Sequence, residues 1–244
     1  MKLRYFWLIL FVFLFPVHTY ADRPVLPSHA PLLAEEEKKE GKNEYFEYQL
    51  RIPHFSGLKN EVFQTKLNEY YSTKMMMFKR KLEKEAKQYY DENKGALSIH
   101  PYVGSTDYKI TYNRKPLLSL YTSYYQYTGG AHGMYEWRAN TFDIDLEKEL
   151  MLAELFTGAG YEQMIRQEIL KQIQQNKDSF FPDATEKICK ISELKFFLET
   201  ENLVVYFPLY ELAPYSSGIP EFRIPYTLLQ EQLKGKYQKI LIDK

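Results

Sequence analysis

The feature that most constrains the fold is one apolar stripe. From Leu58 to Tyr89, the residues Leu58, Val62, Leu67, Tyr71, Met75, Phe78, Leu82, Ala86 and Tyr89 recur at three- and four-residue steps, with lysines and glutamates between them. That period predicts a long amphipathic helix with Ser56 as its cap and Gly95 in the left-handed position that ends it. A helix apolar on one face must bury that face against another layer. The neighbouring segments supply it. Tyr45 to Pro53 alternates Tyr48, Leu50 and Ile52 against Glu47, Gln49 and Arg51, which predicts a half-buried strand. Strand patterns follow at 96–103, 107–113, 117–127 and 135–146, with Asn113 to Pro116 as a turn. A second helix is predicted from Tyr161 to about Asn176, with Tyr161, Met164, Ile165, Ile169 and Ile173 inward. Leu194 to Tyr210 reads as strand, polar turn and strand, and 222–226 and 239–243 as short final strands. The expected class is α+β, with antiparallel sheets on which the long N-terminal helix and the second helix pack, and it allows two related halves joined near residue 116.

The chain of 244 residues is long enough for one large core or two small ones. Lys2 and Arg4, the apolar run from Tyr5 to Val17 and the small residues of Thr19-Tyr20-Ala21 predict a signal peptide cut after Ala21, hence a secreted or periplasmic protein with no membrane span after cleavage. Removing Lys2 and Arg4 from 32 basic and 32 acidic residues leaves 30 against 32, a balance that argues against nucleic acid as a partner. Residues 22–43, proline-rich and then densely charged, read as a disordered linker. Cys189 is the only cysteine, so no intramolecular disulfide forms, and a small buried thiol is its expected role.

Two stretches stand out. "YYQYTGGAHGMYEW" (Tyr124 to Trp137) lies between strand patterns and predicts a β-hairpin, with Gly129, Gly130 and Gly133 serving the turn. His132 has no nucleophile, orienting carboxylate or further ligand at a recognisable spacing, so neither metal binding nor general-base chemistry is assigned to it. "YFPLYELAPYSSGIPEFRIPY" (Tyr206 to Tyr226) is a shaped loop broken by prolines and Gly218. Aromatic rings on rigid turns make contacts at low entropic cost. The contact candidates are therefore Tyr127, His132, Tyr135, Trp137, Tyr210, Glu211 and Tyr215. No catalytic residue, metal or cofactor is expected. The alternatives are an envelope glycan hydrolase using Glu211 or Glu221 with His132, and a purely structural envelope protein.

In order and spacing, "YTGGAHG" and "VYFPLYELAPYSSGIPEFRIPY" resemble the paired DUF4163 and DUF3298 domains of secreted bacterial proteins, which also occur in the extracellular region of the lysozyme-sensing anti-sigma factor. The resemblance places a DUF4163-like half at 44–147 and a DUF3298-like half at 148–244. It implies a cell-envelope binding protein whose partner is a lysozyme-like protein or a peptidoglycan-type glycan. Neither a sigma-binding domain nor a deacetylase domain is apparent beside these halves.

Overall fold

The computed structural model describes residues 31–96 and 99–242. The expected signal peptide and the first part of the linker lie outside them. Four layers stack in the order helix, sheet, sheet, helix. The first sheet has six strands in sequence order: β1 (Leu33–Lys42), β2 (Phe46–Ser56), β3 (Tyr102–Arg114), β4 (Leu117–Tyr127), β5 (Met134–Asp143) and the two-residue β6 (Lys148–Glu149). The second has three, β7 (Lys195–Leu198), β8 (Asn202–Tyr206) and β9 (Glu221–Pro225).

Helix α1 (Glu61–Glu92) covers one face of the first sheet, burying Leu67, Tyr71, Met75, Leu82 and Ala86. Its cap is Asn60 rather than Ser56, because the Asn60 side chain accepts from the backbone N–H groups of Val62 and Phe63 at 2.9 and 3.2 Å. Ser56 is still inside β2. The stripe is accordingly shorter than expected: Val62 is exposed, and Leu58 is buried from the preceding turn. The helix is also a crossover. It carries the chain from β2 to a parallel neighbour, β3, so the sheet is mixed and not wholly antiparallel.

The opposite face of the first sheet meets the second sheet. Tyr121, Tyr135, Trp137 and Ala139 pack on Phe197, Val204, Tyr206 and Ile219. The other face of the second sheet buries Phe196, Leu198, Leu203 and Val205 against α2 (Gly160–Gln175) and its Tyr161, Ile165, Ile169 and Ile173. Strands buried on both faces explain the unbroken apolar runs at 196–198 and 203–207.

Three further expectations change. Residues 33–42 are no linker but an edge strand, β1, paired along its whole length with β2. Its charged residues hid the strand pattern, and charge is what keeps an exposed edge from pairing with other chains. Of the pattern at 96–103, residues 97–98 lie outside the described residues, and Tyr102 and Val103 run on through 107–113 as a single strand, β3. Gly104 lies inside it because a Cβ there would come within 2.8 Å of Leu82, so the glycine marks close helix packing and not a break. Residues 239–241 end a helix, α4 (Gly235–Leu241), in which Tyr237, Ile240 and Leu241 bury at helical spacing. The short helix α3 (Tyr226–Leu229) precedes it.

The two halves are tied by polar contacts as well. Asp143, at the end of β5, has a fully buried carboxylate that accepts from Lys236 Nζ at 2.6 Å and the Tyr237 hydroxyl at 3.0 Å. The same carboxylate accepts from the backbone N–H groups of Asp145 and Leu146, both at 3.1 Å. Nearby, the Tyr112 hydroxyl donates to the Ile240 carbonyl at 3.2 Å.

Candidate functional site

Strands β4 and β5 form the expected hairpin, with Tyr125 opposite Tyr135 and Ser123 opposite Trp137. Its tip needs glycine for two reasons. Gly129 and Gly130 have φ of 101° and 92°, in the left-handed region. At Gly133 a Cβ would run into the Tyr125 ring. The Tyr127 hydroxyl donates to the Gly130 carbonyl at 2.9 Å, so this residue serves the tip itself. His132 Nδ1 lies 2.9 Å from the Gly133 carbonyl, which can only accept, so the ring proton sits on Nδ1.

The second motif arrives from the other half. Between β8 and β9 the backbone turns at Tyr210, with φ of 64°, and at Gly218, with φ of 73°. This directs Tyr215 onto the hairpin. Its hydroxyl donates to the Gly133 carbonyl at 2.8 Å. Its ring stacks on His132 with centroids 4.0 Å apart, meets Tyr135 edge-on at 6.2 Å and lies 5.8 Å from Tyr210. Desolvation among these rings raises the Tyr215 phenol above its ordinary range, with Tyr135, Tyr125 and Tyr210 adding to the effect. His132 is exposed and Tyr210 is 46% exposed, so the joined motifs present rings to solvent.

Four of the candidates thus form one surface: His132, Tyr135, Tyr210 and Tyr215. Trp137 does not belong to it. Its ring stacks on Tyr121 at 4.1 Å and packs against Phe197 and Tyr206, between the sheets. Glu211 enters the described polar contacts through its backbone, where its carbonyl accepts from Lys187 Nζ at 3.0 Å. Glu221 is paired with Arg223, which also holds Glu199 in a bidentate bridge. Among the described contacts, neither carboxylate touches His132. Nor do the described residues include any group of three or more His, Cys, Asp or Glu side chains arranged to hold a metal ion. Cys189 is exposed, not buried, and its thiol lies 3.1 Å from the Glu186 carbonyl. It sits just after a short helical turn on the surface, where no core is available to it.

One structural position beside the site was not foreseen. Among the described residues the edge of β5 has no neighbouring strand beyond β6, and Tyr206 closes part of it. The Tyr206 hydroxyl accepts from the Ala139 N–H at 3.0 Å and donates to the Trp137 carbonyl at 3.2 Å. Burial pushes this phenol up to about 12. In sequence Tyr206 is one aromatic in a strand and carries no separate signal.

Comparison with known proteins places this arrangement in context. The profile described as "Deacetylase PdaC" matches residues 39–135, and that of DUF3298, a protein of unknown function, matches residues 153–227. A solved structure of a DUF3298 member from Bacteroides fragilis shares the fold, with a TM-score of 0.70 at 19% identity over 89% of this chain and 99% of that one. Residues 153–227 make this a DUF3298-domain protein. A DUF3298 protein of Pseudomonas aeruginosa has the same fold, with a TM-score of 0.62 at 19% identity over 86% of this chain and 97% of that one. Two curated proteins of Bacillus subtilis are each 28% identical to this DUF3298 protein. They are the peptidoglycan-N-acetylmuramic acid deacetylase PdaC, over 68% of this chain, and the anti-sigma-V factor RsiV, over 77% of it. The chain spans only 36% of the length of the first and 65% of the second. Among the described residues, no helix is long and apolar enough to cross a membrane.

Proposed function

We propose that this DUF3298 protein is a cell-envelope binding module and that its contact surface is the ring cluster of His132, Tyr135, Tyr210 and Tyr215. The observation that carries the reading is the meeting of the two motifs, 82 residues apart at the Tyr215–Gly133 bond, on one partly exposed surface. Rings with apolar faces and polar tips, fixed by stacking and by backbone bonds, lose little freedom when a partner covers them. The similarity to a peptidoglycan deacetylase and to an anti-sigma factor supports a role in the envelope. The partner is a lysozyme-type protein or a peptidoglycan-type glycan. Both offer a cleft or ring face that stacks on aromatics.

Interferometry with immobilised protein, against lysozyme and against soluble peptidoglycan fragments, tests this. Tyr210→Gly removes the exposed ring while suiting the left-handed backbone there. It is expected to weaken binding about tenfold, the equivalent of about 1.4 kcal/mol, with unchanged thermal stability. Binding of neither ligand at about 100 µM, or wild-type binding by Tyr210→Gly, defeats the proposal.

A further inference from the structure

A different part of β5 bears on a second ligand. In an antiparallel pair, alternate residues turn their backbone groups away from the partner strand. On β5 the outward residues are identified by their contacts. Trp137 and Ala139 bond to the Tyr206 hydroxyl, and the Thr141 carbonyl accepts from Leu150 N–H at 2.7 Å. Just before the strand, the Gly133 carbonyl takes the Tyr215 hydroxyl. Tyr135, in phase with these, turns its N–H and C=O outward, as Trp137 does its N–H. None of the three has a partner among the described contacts. A window of open strand edge therefore lies between two tyrosine clamps.

Beside this window runs a groove of about 570 Å³ between α1 and the β4–β5 hairpin. Met77, Phe78, Tyr124 and Met134 form its apolar lining, and Met77 is 57% exposed. Its rim carries three cations, Lys74, Lys81 and Arg138, against two acids, Glu85 and Glu136. The described partner of Lys74 is the Tyr70 ring at 5.6 Å, while Lys81 has only a loose pair with Glu85 at 3.9 Å. Arg138 lies over the Tyr124 ring and is paired with Glu136.

We propose that the open edge of β5 and the groove beneath α1 bind an extended peptide as an added strand, with acidic side chains facing the groove. Strand addition draws affinity from main-chain bonds and specificity from pockets for alternate side chains. Lys74 and Lys81 stand seven residues apart, about 10 Å along the helix. Groove-facing side chains four residues apart on a strand lie about 13 Å apart. Two acids flanking one apolar residue on that side of the peptide therefore match the two lysines and the lining between them.

The test is fluorescence anisotropy with a capped peptide, Thr-Asp-Thr-Val-Thr-Asp-Thr, and its counterpart carrying lysine for aspartate. The acidic peptide is expected to bind at least about tenfold more tightly. N-methylation of its edge-facing amides is expected to abolish binding, and Lys74→Glu with Lys81→Glu to reverse the preference. Tyr210→Gly should leave peptide binding intact, which separates this site from the ring cluster. The proposal is overturned by no binding at about 1 mM, by equal binding of both peptides, or by loss of binding in Tyr210→Gly. It is also overturned by a concentration-dependent dimer that the double lysine variant disperses, since the edge would then belong to a second copy.

Discussion

Replacing Tyr206 by phenylalanine removes one oxygen and leaves the ring among Phe197, Trp137 and Val204. That oxygen makes two hydrogen bonds across the seam between the sheets, to Ala139 N–H and to Trp137 C=O. Tyr206 is 2% exposed, whereas Ala139 and Trp137 are half-buried, so water partly replaces what is lost. A buried donor left without a partner costs about 1–3 kcal/mol, and an ordinary hydrogen bond contributes about 1 kcal/mol. Partial hydration brings the expected total to about 2 kcal/mol. In urea, with a slope of about 2–3 kcal/mol/M, the midpoint should fall by roughly 0.7–1 M at unchanged slope. Tyr127→Phe is the control, since its hydroxyl bonds only within the exposed hairpin tip, and should cost less than about 0.5 kcal/mol. Equal effects of the two variants would refute the assignment of Tyr206 as an edge clamp. A shallower slope for Tyr206→Phe alone would show instead that the halves unfold separately, contrary to their packing.

Alkaline titration offers a second check. The Tyr206 phenol is raised above its unfolded value near 10, so its contribution is fully present below pH 10 and is lost as pH rises toward about 12. Urea melts across pH 9–12 should show that decline, and Tyr206→Phe should lessen it. Asp143→Ala leaves Tyr237 and two backbone N–H groups without their acceptor and should cost about 2–4 kcal/mol; Asp143→Asn, which keeps an acceptor oxygen, should cost less. Gly133→Ala forces the Tyr125 ring aside and should lower stability by about 1 kcal/mol while weakening binding at the ring cluster.

Much of the architecture was legible because periodicity reports which face is buried. The β4 boundaries, the β4–β5 hairpin and α2 follow from apolar spacing and turn residues, as do the turn roles of Gly129, Gly130 and Gly218. The misreadings share a cause: local pattern is silent about what a distant segment supplies. β1 is charged from Glu35 to Glu40, as suits an exposed edge, and only its pairing with β2 reveals it as a strand. The parallel β2–β3 pair depends on where α1 returns the chain. At the candidate site, the motifs drew attention to His132 and Tyr215, but their stacking arises from a turn in the second half. Trp137 looked like a contact residue because an aromatic facing a neighbouring sheet and one facing solvent have the same sequence signature.

The buried Asp143 carboxylate also sets an order of events for a chain made from its N-terminus. The six strands of the first sheet leave the ribosome well before Lys236 and Tyr237, which neutralise and bond that charge. Until then the end of β5 must keep Asp143 hydrated, and the sheet face that will meet β7 and β8 stays uncovered. A nascent chain arrested near residue 230 should therefore hold a first half with a frayed hairpin and a sticky aromatic face. Helix α4, only seven residues long, is thus what lets the Asp143 charge be buried.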